Sequence, residues 1–279
     1  MECFGSCFYL DGSLLPTGHT YDTAPGDISF YEVIRTRDGI PSFFDDHMKR
    51  LKEGISTRYE LRDDIPVKVG QGLDALVRKE SFPEINIRVT VTFTGQSYSL
   101  HICYILSSYP TAEMISDGVR LICYYAERFD PGVKVLNNSL RLSVNEELAR
   151  REAYEALLVN KEGFITEGSR SNVFFVTDNG TIITAPDNLV LSGVTRKYVT
   201  EIIKNERIPL VYEAVMEKDI SHYRSAFITG TSPMVLPVRS IEGQMFEAGD
   251  PVTVTLRRIY NEKANQSMKV YKLSNKADK

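Results

Sequence analysis

The stretch GFITEGSRSNVFFV, residues 163–176, decides how the chain is read. Two β-prone runs, FIT and NVFFV, flank a short turn of Gly, Ser, Arg and Ser, and an acid, Glu167, closes the first run. Such runs joined by small polar residues predict paired strands. Working outward, EALLV (155–159) and TIITA (181–185) add a strand on either side. SLRLSVNEELARREA (139–153), GVTRKYVTEIIKNE (193–206) and PVTVTLRRIYNEKANQ (251–266) have helical spacing, and GVRLICYYAE (118–127) and RSAFITGT (224–231) read as strands. Strands in series with inserted helices, without strict β-α-β alternation, predict an α+β fold.

The first half repeats this logic. CFYLDGSLLP (7–16) and SFYEVIRTRDGIPSFF (29–44) are hairpins turning at Asp11-Gly12 and Asp38-Gly39. DDHMKRLKEGISTRY (45–59) is a helix with Met48, Leu51 and Ile55 on one face and Asp45 or Asp46 as its N-cap. VKVGQGLDALVRKE (67–80) is a second helix, and INIRVTVTFTG (85–95) and YSLHICYIL (98–106) are strands. The polar, Pro-containing stretch SSYPTAEMISDG (107–118) fits a connector. Two domains are expected: a small N-terminal α+β domain over 1–108, a linker over 109–117, and a larger C-terminal domain over 118–279.

With 42% hydrophobic and 25% charged residues, the 279-residue chain has no disorder signature. Its net charge of -4 offers no basic surface for nucleic acid or an anionic membrane. Of the four cysteines, Cys3 and Cys7 form a close pair, but no second Cys or His pair completes a zinc site, so reduced thiols and no metal are expected. The N-terminus carries an acid where a signal peptide carries positive charge, and no apolar run approaches membrane length. A soluble cytoplasmic protein is the expectation.

Three features carry chemistry. In PGVKVLNNSL (131–140), Lys134 stands in an apolar run just before an Asn137-Asn138 turn. Either its ammonium snorkels to water, or the protein needs an amine there. Glu167 is either a solvated strand tip or a fixed charge for a cationic ligand group. In LSGVTR (191–196), Ser192 and Gly193 lead into a helix whose first amides, Val194 and Thr195, would form an anion site unless Ser192 or Thr195 caps them. FITGTSP (227–233) gives a similar turn at Gly230, Thr231 and Ser232. An amine, an anion cup and a carboxylate for a ring nitrogen are together what pyridoxal 5'-phosphate requires.

The order and wording of these motifs resemble the class IV (fold-type IV) pyridoxal-phosphate aminotransferases, which include branched-chain and D-amino acid aminotransferases and 4-amino-4-deoxychorismate lyases. The resemblance runs from FYEVIRTRDG through HMKRL, VKVLN, TEGSRSN and LSGVTR to FITGTSPMVLPVRSIEG. It implies a two-domain fold, with a small N-terminal domain and a larger, mixed β-barrel-like C-terminal domain with helices. It also implies an active site between the domains and near the interface of a homodimer. Lys134 resembles the lysine that forms the Schiff base and carries the proton, and Glu167 the partner of the pyridine nitrogen. Arg50, Val194, Thr195 and Thr231 match the phosphate cup, and Leu191 the residue packed on the ring. Tyr31, Arg88 and Ser232 match substrate-pocket positions.

The implied reaction moves an amino group from an amino acid, branched-chain-like or other, to a 2-oxo acid such as 2-oxoglutarate. The alternatives are a D-amino acid aminotransferase with a non-standard carboxylate trap and a lyase releasing pyruvate. Two departures mark the subgroup: Ser139 stands where branched-chain members carry tyrosine, and TFTGQS lacks the arginine and histidine of D-type members.

Overall fold

A computed structural model describes residues 3–19, 24, 26–60, 63–128, 130–136 and 138–277. The chain forms two compact units. The first comprises Met1–Ser108, Val133–Leu136 and Ala264–Lys279; the second comprises Tyr109–Gly132 and Asn137–Lys263. The region expected as one C-terminal domain over 118–279 thus contributes two segments to the first unit, and one of them holds Lys134.

The first unit is built on strands β1 (Phe4–Leu10), β2 (Ser13–Pro16), β3 (Ile28–Arg37), β4 (Ile40–Pro41), β5 (Glu84–Thr94) and β6 (Ser97–Ile105). They order as β2-β1-β6-β5-β3-β4, every ladder antiparallel. Both expected hairpins form: Asp11 and Gly12 have φ of 46° and 99°, and Asp38 and Gly39 have 48° and 75°, the left-handed values a two-residue turn demands. Strand parity then sorts the side chains. Phe30 and Ile34 of β3, Ile87, Val89 and Val91 of β5, and Leu100 and Ile102 of β6 enter one core with Met48, Leu51 and Ile55 of α1 (Phe44–Ser56) and Val69, Leu73 and Leu76 of α2 (Ile65–Lys79). Each such side chain, fully buried, stabilises the fold by about 1.5–3 kcal/mol before entropy is subtracted.

The start of α1 differs from expectation. Its N-cap is Phe43, at φ 50° and ψ 39°, with no side-chain cap bond, while Asp45 and Asp46 lie inside the first turn. There they complement the positive end of the helix dipole and do not cap it.

The second unit holds β7 (Val119–Tyr125), β8 (Glu155–Val159), β9 (Phe164–Gly168), β10 (Asn172–Val176), β11 (Ile182–Thr184), β12 (Leu210–Tyr212), β13 (Val215–Met216), β14 (Ser225–Gly230), β15 (Met234–Ile241) and β16 (Gln244–Met245). They form a mixed sheet in the order β12-β11-β10-β14-β15-β7-β8-β9-β13, with β16 beside β15. Helices α3 (Ala112–Asp117), α4 (Asn138–Arg150) and α5 (Val194–Asn205) belong here, and α6 (Pro251–Ala277) begins here and ends in the first unit. The expected connector contains α3, capped by the Thr111 side chain, which accepts from the Met114 amide. β15 also lies outside the expected strands: Pro237 argues against a central strand. The structure accommodates it opposite Phe227, with a register shift against β7 between Val238 and Ser240.

Candidate active site

In the first unit the site begins with an acid on an apolar face. Glu32 shares parity with Phe30 and Ile34, so β3 aims its carboxylate at α1. It is wholly buried there. Arg50 Nε and Nη2 donate to its two oxygens at 2.7 and 2.6 Å, and His47 Nδ1 donates to Oε2 at 2.8 Å. Burial alone would raise the Glu32 pKa, but the charge and bonds of Arg50 and the bond from His47 outweigh it and hold the carboxyl down at about 2. Burial depresses the His47 pKa, which favours the neutral ring with Nδ1–H facing the carboxylate. Arg50 is thus a guanidinium braced along one edge by two parallel bonds to a single carboxylate.

Lys134 reaches this unit by a short pairing with β3. Tyr31 N–H donates to Lys134 C=O at 3.0 Å, Leu136 N–H donates to Ser29 C=O at 3.0 Å, and Phe30 and Val135 form an isolated bridge. Val133 and Val135 join the core, and Lys134, between them, turns the other way with Nζ 4.6 Å from the centroid of the Tyr31 ring. The valines therefore face away from the amine. They anchor the strand that presents it, and Lys134 is half-buried. Asn137 of the expected Asn-Asn turn lies outside the described residues, and Asn138 begins α4. The Tyr31 face of the sheet also carries Arg88, opposite Val33 and Cys103, with Nη2 donating to Cys103 Sγ at 3.7 Å.

In the second unit Glu167 closes β9 and is 2% exposed, so it is no solvated strand tip. Arg128 Nε pairs with its Oε1 at 2.9 Å, and Leu191 N–H donates to Oε2 at 3.0 Å. Asn172 knits the neighbouring loops together. Its Nδ2 donates to Leu191 C=O at 2.9 Å, its backbone pairs with Thr229, and its Oδ1 lies 2.3 Å from where a Cβ on Gly193 would stand. Only glycine allows that approach. Gly193 is the N-cap of α5 without any side-chain cap bond, and Thr195 Oγ1 instead meets Tyr260 Oη at 3.1 Å. The Thr195 hydroxyl is thus engaged with Tyr260, and Val194 and Thr195 supply the first amides of α5. Thr231 and Ser232 lie in the tight turn joining β14 to β15, where Gly230 pairs with Met234. Glu32, His47, Arg128 and Asn172 escaped the sequence reading, although an acid sharing parity with Phe30 and Ile34 was a signal for the first of them.

The model of amino-transferase class IV matches residues 29–241, which span every residue named in the candidate site but Tyr260. The chain belongs to the class IV aminotransferase family. Over 243 residues this aminotransferase is 28% identical to a D-alanine aminotransferase of Bacillus licheniformis, covering 81% of this chain and 83% of that one. Over 211 residues it is 25% identical to a branched-chain-amino-acid aminotransferase of Pseudomonas aeruginosa, covering 69% and 68%. Its fold matches that of a branched-chain amino acid aminotransferase of T.th. solved with pyridoxamine 5'-phosphate, at a TM-score of 0.80 and 23% identity over 94% and 95% of the two chains. No helix among the described residues is long and apolar enough to cross a membrane.

The cofactor of the family is pyridoxal 5'-phosphate, and the residues present fit it. By chemistry the amine of Lys134 suits the aldehyde and the buried Glu167 carboxylate suits a protonated ring nitrogen; the Arg50 guanidinium and, separately, the first amides of α5 are each groups that suit a phosphate.

Proposed function

We propose that this class IV aminotransferase moves the amino group of an apolar, branched-chain-type amino acid to a 2-oxo acid such as 2-oxoglutarate. The observation that carries the reading is the amine of Lys134, held over Tyr31 by backbone pairing with β3, on the sheet face that also bears Arg88. When bound, the cofactor supplies a conjugated cationic ring that accepts the electron pair left at the substrate Cα. Lys134 Nζ holds the cofactor between turnovers and, once displaced by substrate, takes the Cα proton. Glu167 keeps a proton on the ring nitrogen; Leu191 N–H orients its carboxylate, and the Arg128 guanidinium lies beside it. Arg50, Val194, Thr195 and Thr231 bind phosphate, and Leu191 packs on the ring. Tyr31, Arg88 and Ser232 line the substrate position, with Arg88 as the cation for a carboxylate. The family resemblance supports a homodimer, which light scattering on the purified protein tests.

The absence of an arginine and histidine from TFTGQS favours L- over D-substrates. A half-reaction screen decides it: the enzyme is mixed with single L- and D-amino acids without acceptor, and loss of cofactor absorbance is followed. Discharge by L-leucine, L-isoleucine or L-valine, with return of the band on adding 2-oxoglutarate, is expected. Discharge by D-alanine alone would replace the reading with the D-type activity. Pyruvate release from aminodeoxychorismate without any acceptor would replace it with the lyase.

A further inference from the structure

The sequence offered Cys3 and Cys7 as a pair lacking partners, but the fold separates them. Cys7 lies in the core of the first unit, whereas Cys3 stands just before β1, beside β6. There the Cys3 Sγ, the Cys103 Sγ and a ring nitrogen of His101 all lie within 4.8 Å of one another. Cys3 Sγ is 3.7 Å from His101 Nε2. His101 and Cys103 lie on one strand, but Cys3 comes from a segment remote in sequence, which is why no spacing motif announced the group. His101 and Cys103 alternate along β6, so parity places both on one face, and the Phe4–Tyr104 pairing brings Cys3 across to that face. A register shift in the ladder follows between Phe4 and Tyr9.

We infer that Cys3, His101 and Cys103 form a binding site for a thiophilic divalent cation of the zinc type, with a fourth position left open. Metal–sulfur bonds of ~2.3 Å and metal–nitrogen bonds of ~2.0 Å about a tetrahedral centre place ligand atoms ~3.5–3.8 Å apart. The Cys3–His101 separation already falls there, and the remaining contraction is small. It falls to Cys3, the half-buried member, while His101 and Cys103 are held inside the sheet at 2% and 0% exposure. Two thiolates neutralise the charge of the ion, so a buried site carries no net charge. Arg88 Nη2, donating to Cys103 Sγ, supplies the N–H···S contact that outer-shell groups make to thiolate ligands. The exposed side at Cys3 leaves room for water or an external ligand in the fourth position. A bound ion would tie the segment before β1 to β6 and set the geometry of Arg88.

The test uses the full chain with its cofactor bound, under reducing conditions, titrated with Zn²⁺ against a chromophoric chelator and separately with Co²⁺. One ion per chain is expected. The Co²⁺ form should show intense visible d–d bands of a tetrahedral site and a sulfur-to-cobalt charge-transfer band. Loss of one ligand should cost at least as much as loss of an outer-shell partner, ~10–100-fold in affinity. Cys3→Ser is the decisive variant because its side chain is half-exposed and its loss spares the core. Cys7→Ala should bind as the parent does, and comparison within the cofactor-loaded protein removes any contribution from the cofactor itself. Unchanged affinity in Cys3→Ser, or only the weak bands of octahedral cobalt, overturns the site.

Discussion

Lys134 is presented by strand parity: two valines go down into a core, and the residue between them must go up. That explains the apolar flanks by the core beneath the strand, and it separates the residue's chemical role from its packing. Lys134→Ala should therefore leave unfolding nearly unchanged while lowering transamination by at least ~10³-fold and abolishing the cofactor's amine-linked absorbance. Activity that survives with the band intact would remove Lys134 from its role. Glu32 is the reverse case, a residue that stabilises and positions at once. Its carboxyl titrates from about 4.5 unfolded to about 2 folded. The pKa is depressed, so its contribution is complete above the unfolded value and is lost as pH falls through the folded one. Stability should decline as pH falls from about 4.5 toward about 2. Glu32→Gln should flatten that slope and cost roughly 3–5 kcal/mol at neutral pH, because Arg50 is left buried without its counter-charge. Chemical denaturation at a series of pH values measures both; an unaltered slope would show that another carboxylate governs acid unfolding.

At the scale of elements, the turn at Gly118 gives the sharpest expectation. It ends α3 at φ 75°, and a Cβ there would meet the backbone of Arg239 at 2.7 Å and of Val238 at 2.9 Å. Backbone cannot rotate aside as a side chain does. Gly118→Ala should destabilise the second unit by at least about 2 kcal/mol, read as a lowered denaturation midpoint; a neutral outcome would mean that β15 shifts freely. Much at this scale was legible in advance. The alternation of INIRVTVTFTG, the Asp-Gly turns and the Met48–Leu51–Ile55 face are local signals, and each became the expected element. What was hidden depended on tertiary context. A proline sits inside β15 because a register shift adjoins it, and Phe43 begins α1 at a left-handed φ although two aspartates follow. Within the candidate site, the residues proposed in the TEGSRSN, LSGVTR and VKVLN stretches rest on motif wording. Arg128, outside those stretches, acts through a contact with Glu167 that no local pattern encodes.

At the scale of the whole molecule, the last turns of α6 belong to the first unit and complete its corner. Asn265 accepts from Arg37 Nη1 at 3.0 Å, Ser267 Oγ accepts from Phe43 N–H at 3.1 Å, and Tyr271 lies 5.1 Å from the Phe44 ring. Truncation after residue 263 should therefore loosen the β3–α1 corner and leave the second unit protected, as hydrogen exchange by mass spectrometry would show. Uniform loss of protection across both units would contradict this division.

The same closure has a consequence during synthesis. Ribosomes deliver β1 through β6 first, yet the segment bearing Lys134 arrives more than two dozen residues after that sheet is made, and the sealing end of α6 arrives last of all. Domains usually fold in order of emergence. Here the first unit stays unfinished until segments on the far side of the second have been made, and a nascent chain lacking residues 264 onward would have its first unit unsealed.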